Sequence, residues 1–139
     1  MKNVDVLIIV DTLGAVSSGN LSGNVYLIDT NKYLGSWNEG QCELHSKCYD
    51  GQILKWRVVS VTPENDVNLV QFTGGMIDNK VCLPLKQGIE GDVFWEGRVE
   101  AQAMGGTGTF QYSCVLSIDG KSMTFDPFLE VIPLTQSLQ

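Results

Sequence analysis

The stretch that decides the fold is residues 51–72, GQILKWRVVSVTPENDVNLVQF. Two apolar runs, rich in β-branched residues, flank the segment TPEND, whose residue types favour turns. In the first run Lys55 and Arg57 alternate with apolar residues, so a strand here has one polar and one apolar face. We therefore predict a β-hairpin over these residues, with Trp56 packed between two sheets.

The same alternation continues to the C-terminus, and helical periodicity is nearly absent. Asp119-Gly120 is a strong signal for a two-residue hairpin turn of type I′. Residues 14–24 are small and polar, which predicts a loop. The strands predicted outside the central segment are residues 5–13, 25–29, 80–85, 92–104, 109–118 and 123–131.

Short alternating strands joined by tight turns, with no helix long enough for a crossover, are typical of an all-β fold. We expect an antiparallel β-sandwich of about seven to nine short strands. A closed β-barrel is the alternative. Residues 1–139 contain no internal repeat and no linker, so we expect a single β-sandwich domain.

Composition limits the partners of the chain. The sequence has 16 acidic and 9 basic residues, a net charge of −7, and its acidic groups are dispersed. A negative field repels phosphate, so neither nucleic acid nor an anionic membrane is an expected partner. The apolar run of residues 6–10 is shorter than the core of a secretory leader. We therefore expect a cytoplasmic location. Export without a cleaved leader is the alternative.

Four segments together resemble the AidA/PixA family of bacterial inclusion-body proteins: VDVLIIVDT, VYLID, the central segment and FQYSCVLSIDGKSMTFDPFLEV. The most specific part is Gly51, then Lys55-Trp56-Arg57, Ser60, the Asn65-Asp66 turn and a second strand over residues 67–72. The resemblance implies a small β-sandwich protein that accumulates in cytoplasmic inclusions or responds to population density in host-associated bacteria. It brings no catalytic residues to carry over.

Trp37 lies among glycines and polar residues, where no strand alternation accounts for it. Aromatic rings on loops stack on sugars and flat ligands, and Asn38 and Glu39 can hydrogen-bond hydroxyl groups. Residues 37–39 are therefore our candidate site for a small molecule or glycan. The alternative is that the indole anchors its loop to the sandwich.

Asp5, Asp11 and Asp29 lie near predicted strand ends, where their carboxylates would bind calcium if they converged. Aspartate is also an ordinary turn residue, and the spacing does not match an EF-hand. We expect no metal site and no cofactor, with these three residues as the weak candidates.

His45 lies between Cys42 and Cys48, so a Cys–His nucleophile pair of His45 and Cys48 is formally possible. The four cysteines form no C-x-x-C pair or zinc spacing. In a cytoplasmic chain free thiols are favoured, although a bridge between Cys42 and Cys48 stays open. Cys114, on the apolar face of a predicted strand, is expected to be a buried thiol.

These observations support three hypotheses of function. The leading one is a non-enzymatic inclusion-body-type protein that acts through binding or self-assembly, with a two-fold homodimer as the simplest oligomer. The second is a module that binds a small ligand or carbohydrate through loops at one end of the sandwich. The third is an enzyme acting on a small metabolite.

Overall fold

The computed structural model describes residues 3–30, 44–62, 65–101 and 107–132 of the 139-residue chain. Within these ranges lie eleven strands, two short helices and a 3₁₀ turn at Ser22–Asn24. The strands and helices are β1 (Val4–Val10), α1 (Thr12–Ser18), β2 (Val25–Asp29), β3 (His45–Tyr49), β4 (Ile53–Ser60), β5 (Val67–Thr73), α2 (Gly75–Asp78), β6 (Leu85–Ile89), β7 (Asp92–Arg98), β8 (Gly108–Gln111), β9 (Ser113–Ile118), β10 (Lys121–Phe125) and β11 (Phe128–Ile132).

The strands form three sheets that make a sandwich. Sheet I has the order β2-β1-β4-β7-β6, sheet II the order β10-β9-β5 and sheet III the order β3-β11-β8. Sheets II and III form one layer, because β8 leads into β9 and β10 leads into β11 through short bends. This layer faces sheet I. The predicted all-β sandwich is confirmed, and the described strands do not close into a barrel.

Strand direction is more mixed than the sequence indicates. Six of the eight pairings among the described residues are antiparallel, but β1 pairs with β4 and β3 pairs with β11 in parallel. Alternation within a strand fixes which side chains face the core, but it carries no information about the direction of the neighbouring strand.

The central segment is not a hairpin, which corrects the first prediction. β4 lies in sheet I between β1 and β7, whereas β5 lies in sheet II beside β9. The chain therefore passes from one layer to the other between β4 and β5. Asp119 holds the residues just before β5, because its carboxylate accepts hydrogen bonds from the Asn65 side chain at 2.8 Å and from the Asp66 backbone N–H at 2.9 Å.

Two predicted strands are each broken in two. Residues 109–118 form the end of β8 and all of β9, with Tyr112 at the bend, and residues 123–131 form parts of β10 and β11. Tyr112 N–H donates to the Pro127 carbonyl at 3.1 Å, and the Ser113 hydroxyl donates to Asp126 at 2.6 Å. Both strands therefore bend at the same level, and this division is one reason that the structure has more strands than expected.

Two further boundaries differ from the predictions. Residues 12–18 form helix α1 rather than a strand end and a loop, because Asp11 caps the helix and Gly19 ends it with φ of 71°. The strand predicted at residues 80–85 lies instead at Leu85–Ile89, as β6. By contrast, the Asp119-Gly120 turn is confirmed: both residues have positive φ, 47° and 86°, as a type I′ turn requires.

The core lies between the layers, with Trp56 at its centre. Its side chain is fully buried, and its ring lies 4.9 Å from Phe72 and 6.0 Å from Tyr112, measured between centroids. The indole Nε1 donates to the Tyr112 hydroxyl at 3.3 Å. Trp56 is therefore a core residue, as predicted, and it joins sheet I to the segment between sheets II and III.

We predict that Trp56→Ala lowers the free energy of unfolding by about 3–5 kcal/mol, because it opens a large cavity and leaves the Tyr112 hydroxyl without its donor. Urea unfolding followed by circular dichroism measures this loss. The matched control is Val70→Ala, a change at a side chain that is 53% exposed. A loss no larger than that of the control would contradict the central packing role of Trp56.

Candidate functional site

A cleft of the described structure lies where β4 and β7 separate. The two strands pair only from Ile53 opposite Arg98 to Trp56 opposite Trp95. Beyond Trp56, β4 continues along β1 to Ser60, while β7 runs back along β6 to Asp92. The gap between them has a volume of about 260 Å³. This gap is here called the β4–β7 cleft. It is lined by Trp56, Arg57, Val58, Val59, Val67, Asn68, Leu69, Lys86, Gly91, Asp92, Val93 and Trp95.

Trp95 is the unusual residue of the β4–β7 cleft. Its ring packs edge-on against Phe72, with 5.5 Å between centroids. Its indole Nε1 is buried and has no hydrogen-bond partner. Trp56, directly opposite in the sheet, donates its own Nε1–H to Tyr112. An unpaired buried donor typically costs about 1–3 kcal/mol, so an acceptor that reached Trp95 Nε1 would stabilise the protein.

Charged side chains border the opening of the cleft. Arg57 lies 3.8 Å from both Asp5 and Asp92, and its guanidinium lies over the Phe94 ring at 5.0 Å. Lys86 projects from β6 directly opposite Trp95, on the same face of the sheet. Strands β4, β6 and β7 therefore bring two cations and one carboxylate to an apolar cleft.

The Cys–His pair considered from sequence does not form within β3. His45 and Cys48 are three residues apart on this strand, so their side chains leave on opposite faces. The His45 ring stacks on Phe128 with 4.4 Å between centroids, whereas Cys48 is fully buried. The two residues thus lie in different environments.

Cys48, Cys82 and Cys114 are free, buried thiols. The burial predicted for Cys114 from strand alternation is therefore confirmed. Burial raises the pKa of Cys82 to about 12, with a further contribution from Glu100. Burial is also the main cause that raises the pKa of Cys48 and Cys114, with smaller contributions from Cys82 and Asp126, respectively. All three thiols are therefore protonated and weakly nucleophilic at neutral pH.

The three aspartates considered for a metal do not converge. Asp5 lies at the start of β1 and Asp11 follows its end, six residues or about 20 Å apart along the strand. Asp5 pairs with Arg57, Asp11 accepts from Gly14 N–H as a helix cap at 3.1 Å, and buried Asp29 accepts from the Ser46 hydroxyl at 2.5 Å. Among the described residues, no group of three His, Cys, Asp or Glu side chains is arranged to hold a metal ion.

The loop candidates Trp37, Asn38 and Glu39, together with Cys42, lie outside the described residues. The β4–β7 cleft itself was not anticipated. Two signals in the sequence point to it in retrospect: another tryptophan, Trp95, on an alternating strand, and the Glu90-Gly91 turn that precedes that strand. Neither signal indicates that β4 and β7 separate. Over the described part of the chain, no helix has the length and apolar character needed to cross a bilayer.

We predict that the three buried thiols resist modification. The experiment uses a Cys42→Ser variant and a chromogenic disulfide reagent at pH 8. Cys48, Cys82 and Cys114 should not react in the folded protein, because burial shields these thiols and their raised pKa values keep them protonated. All three should react once guanidinium unfolds the chain. Rapid release of one or more equivalents from the folded variant would show an accessible thiolate and contradict this account.

Comparison with known proteins relates the chain to solved structures and to a family. The fold matches the crystal structure of an inclusion body protein, PixA, from Burkholderia cenocepacia, with a TM-score of 0.67 over 95% of this chain and 94% of that one. Sequence identity is 13%, so this similarity establishes a shared fold alone. No curated protein matches the sequence. A family model described as a domain of unknown function, DUF8788, matches residues 2–124 of the 139, and the chain therefore belongs to the DUF8788 family.

Proposed function

We propose that this chain is a non-enzymatic protein of the inclusion-body type that acts through ordered self-association. Three findings support the proposal: the fold shared with the Burkholderia inclusion body protein, the segments that resemble the AidA/PixA family, and an exposed apolar face on sheet I. The assembled protein would reside in cytoplasmic inclusions. The exposed face carries the proposal, because it supplies a surface through which copies can associate.

This face, here called the outer patch, consists of Leu7, Ile9, Tyr26, Ile28 and Val59. In the register of sheet I, Ile9 lies opposite both Tyr26 and Val59, and Leu7 lies opposite Ile28. All five point away from the core, because they alternate along their strands with side chains that point inward. The outer patch is therefore continuous across three neighbouring strands.

The outer patch is exposed to a degree that is unusual for adjacent apolar side chains. Tyr26, Ile28 and Val59 are 45%, 41% and 43% exposed. A contiguous apolar surface of this kind typically marks an interaction site. Burying it against a second molecule removes apolar area from water at about 25 cal/mol per Å².

Charge favours a second copy of the same chain as the partner. The row that borders the patch carries Asp5, Lys55 and Glu96 opposite one another, with alternating signs. Arg57, next to Leu7, pairs with Asp5. The face is thus nearly neutral although the chain carries −7, so two copies can meet here without the repulsion that their other surfaces impose. A two-fold axis through the face gives the simplest closed assembly.

We predict that Ile28→Lys weakens self-association by at least tenfold, because it places two like charges in the apolar contact of a two-fold assembly. Size-exclusion chromatography with light scattering over a range of concentrations measures this effect. Val70→Lys is the matched control: it adds the same charge at a 53% exposed valine in sheet II and should leave association unchanged.

Added salt should strengthen association of the natural chain, because it screens the repulsion between molecules that each carry −7. A natural chain that stays monomeric at millimolar concentration, or two lysine variants that behave alike, would overturn the proposed role of the outer patch. Unchanged thermal unfolding of both variants confirms that any effect arises from association rather than from misfolding.

A further inference from the structure

We propose that the β4–β7 cleft is a binding site for a small aromatic carboxylate. The site lies at the separated ends of β4 and β7, with Val67, Asn68 and Leu69 of β5 along one side. This proposal does not rest on self-association, although Val59 of the outer patch also lines the cleft.

The shape follows from the strand register. Residues 57–60 of β4 pair with β1 on one side only, because β7 has already turned away. The register of β5 against β9 shifts between Leu69 and Gln71, a bulge that interrupts the strand beside the cleft. At about 260 Å³ the cleft lies just below the usual range of about 300–1,000 Å³ for drug-sized ligands, which limits the ligand to one small ring system.

The apolar lining favours a flat ring. The indoles of Trp56 and Trp95 are neighbours on adjacent strands at the closed end of the gap. Val58, Val67 and Leu69 add aliphatic surface, and Trp95 is only half-buried. Aromatic ligands stack on or contact such rings edge to face, and they gain more than their buried area alone provides.

The polar groups require an acceptor from the ligand. The carboxylate of Asp92 is already paired with Arg57, and the Asn68 amide donates to Asp66 at 3.2 Å. Lys86 forms no ion pair with any described residue, and Trp95 Nε1 has no acceptor. Both groups are donors, and they lie opposite each other across the β6–β7 pair. A carboxylate complements both.

Binding must also move Trp95. Its Nε1 lacks accessible surface, so an acceptor reaches it only when the indole turns towards the gap. The ring is partly exposed, and β4 and β7 no longer pair with each other beyond Trp56. Both features leave space for that rotation. The hydrogen bond gained on binding removes the penalty of the unpaired N–H, so the ligand favours the rotated state of the indole.

The test follows the three indole N–H signals of the natural chain in ¹⁵N–¹H NMR spectra while phenylacetate is added at pH 7. Trp95→Phe assigns the Trp95 signal. We expect that signal to shift downfield and saturate in the millimolar range, while the Trp56 signal moves less because its N–H already donates to Tyr112. Phenylacetamide, which has the same ring without the charge, should bind more weakly.

Two variants with a matched control test the assigned groups. Lys86→Gln should weaken phenylacetate binding by about fivefold, the effect of one exposed charge pair. Trp95→Phe, which keeps an aromatic ring, should weaken binding by about tenfold or more, the usual effect of one hydrogen bond to an ionised group. Lys121→Gln, the same change on β10 of sheet II, should leave the affinity unchanged.

An unmoved Trp95 signal would overturn the proposal, as would equal affinity for phenylacetamide or equal effects of Lys86→Gln and Lys121→Gln. Light scattering on the same samples separates this result from self-association, because neither variant alters the outer patch. Loss of binding with association intact, or the reverse, would therefore decide each proposal independently.

Discussion

The packing of Trp56 between the two layers is the contact on which the rest of the structure depends. Its ring contacts Phe72 of sheet II and Tyr112 at the bend between sheets II and III, and its N–H meets the Tyr112 hydroxyl. Burial raises the pKa of Tyr112 well above its usual value, so the phenol stays protonated inside the core. One side chain of sheet I therefore holds the point at which the opposite layer changes direction.

The same position marks where sheet I divides. Up to the Trp56–Trp95 pair, β4 and β7 share hydrogen bonds, and beyond it each strand follows its other neighbour. One indole of the pair is satisfied by Tyr112, whereas the other keeps an unpaired donor beside the gap. A single structural division thus produces a stable core on one side and an incompletely satisfied cleft on the other. The unpaired donor of Trp95, rather than the volume of the gap, distinguishes the cleft from a packing defect.

Charge and apolar surface act in opposite directions on this molecule. A net charge of −7 favours repulsion between copies, while the outer patch is an exposed, nearly neutral apolar face, through which we propose that copies associate. The two surfaces considered for function meet at Val59: the outer patch lies on the outward side of sheet I, and the cleft opens where two of its strands separate. The other four residues of the outer patch lie on β1 and β2 and do not line the cleft.

The sequence by itself determined the all-β class, the burial of Trp56 and Cys114, and the type I′ turn at Asp119-Gly120, because alternation and turn chemistry are local properties. Only the tertiary structure decided which strands are neighbours. It sent β4 and β5 to different layers, paired β1 with β4 in parallel, and bent two long strands at Tyr112 and near Pro127. The β4–β7 cleft belongs to the same category: its walls come from residues up to 39 positions apart, and no local pattern records that two strands separate.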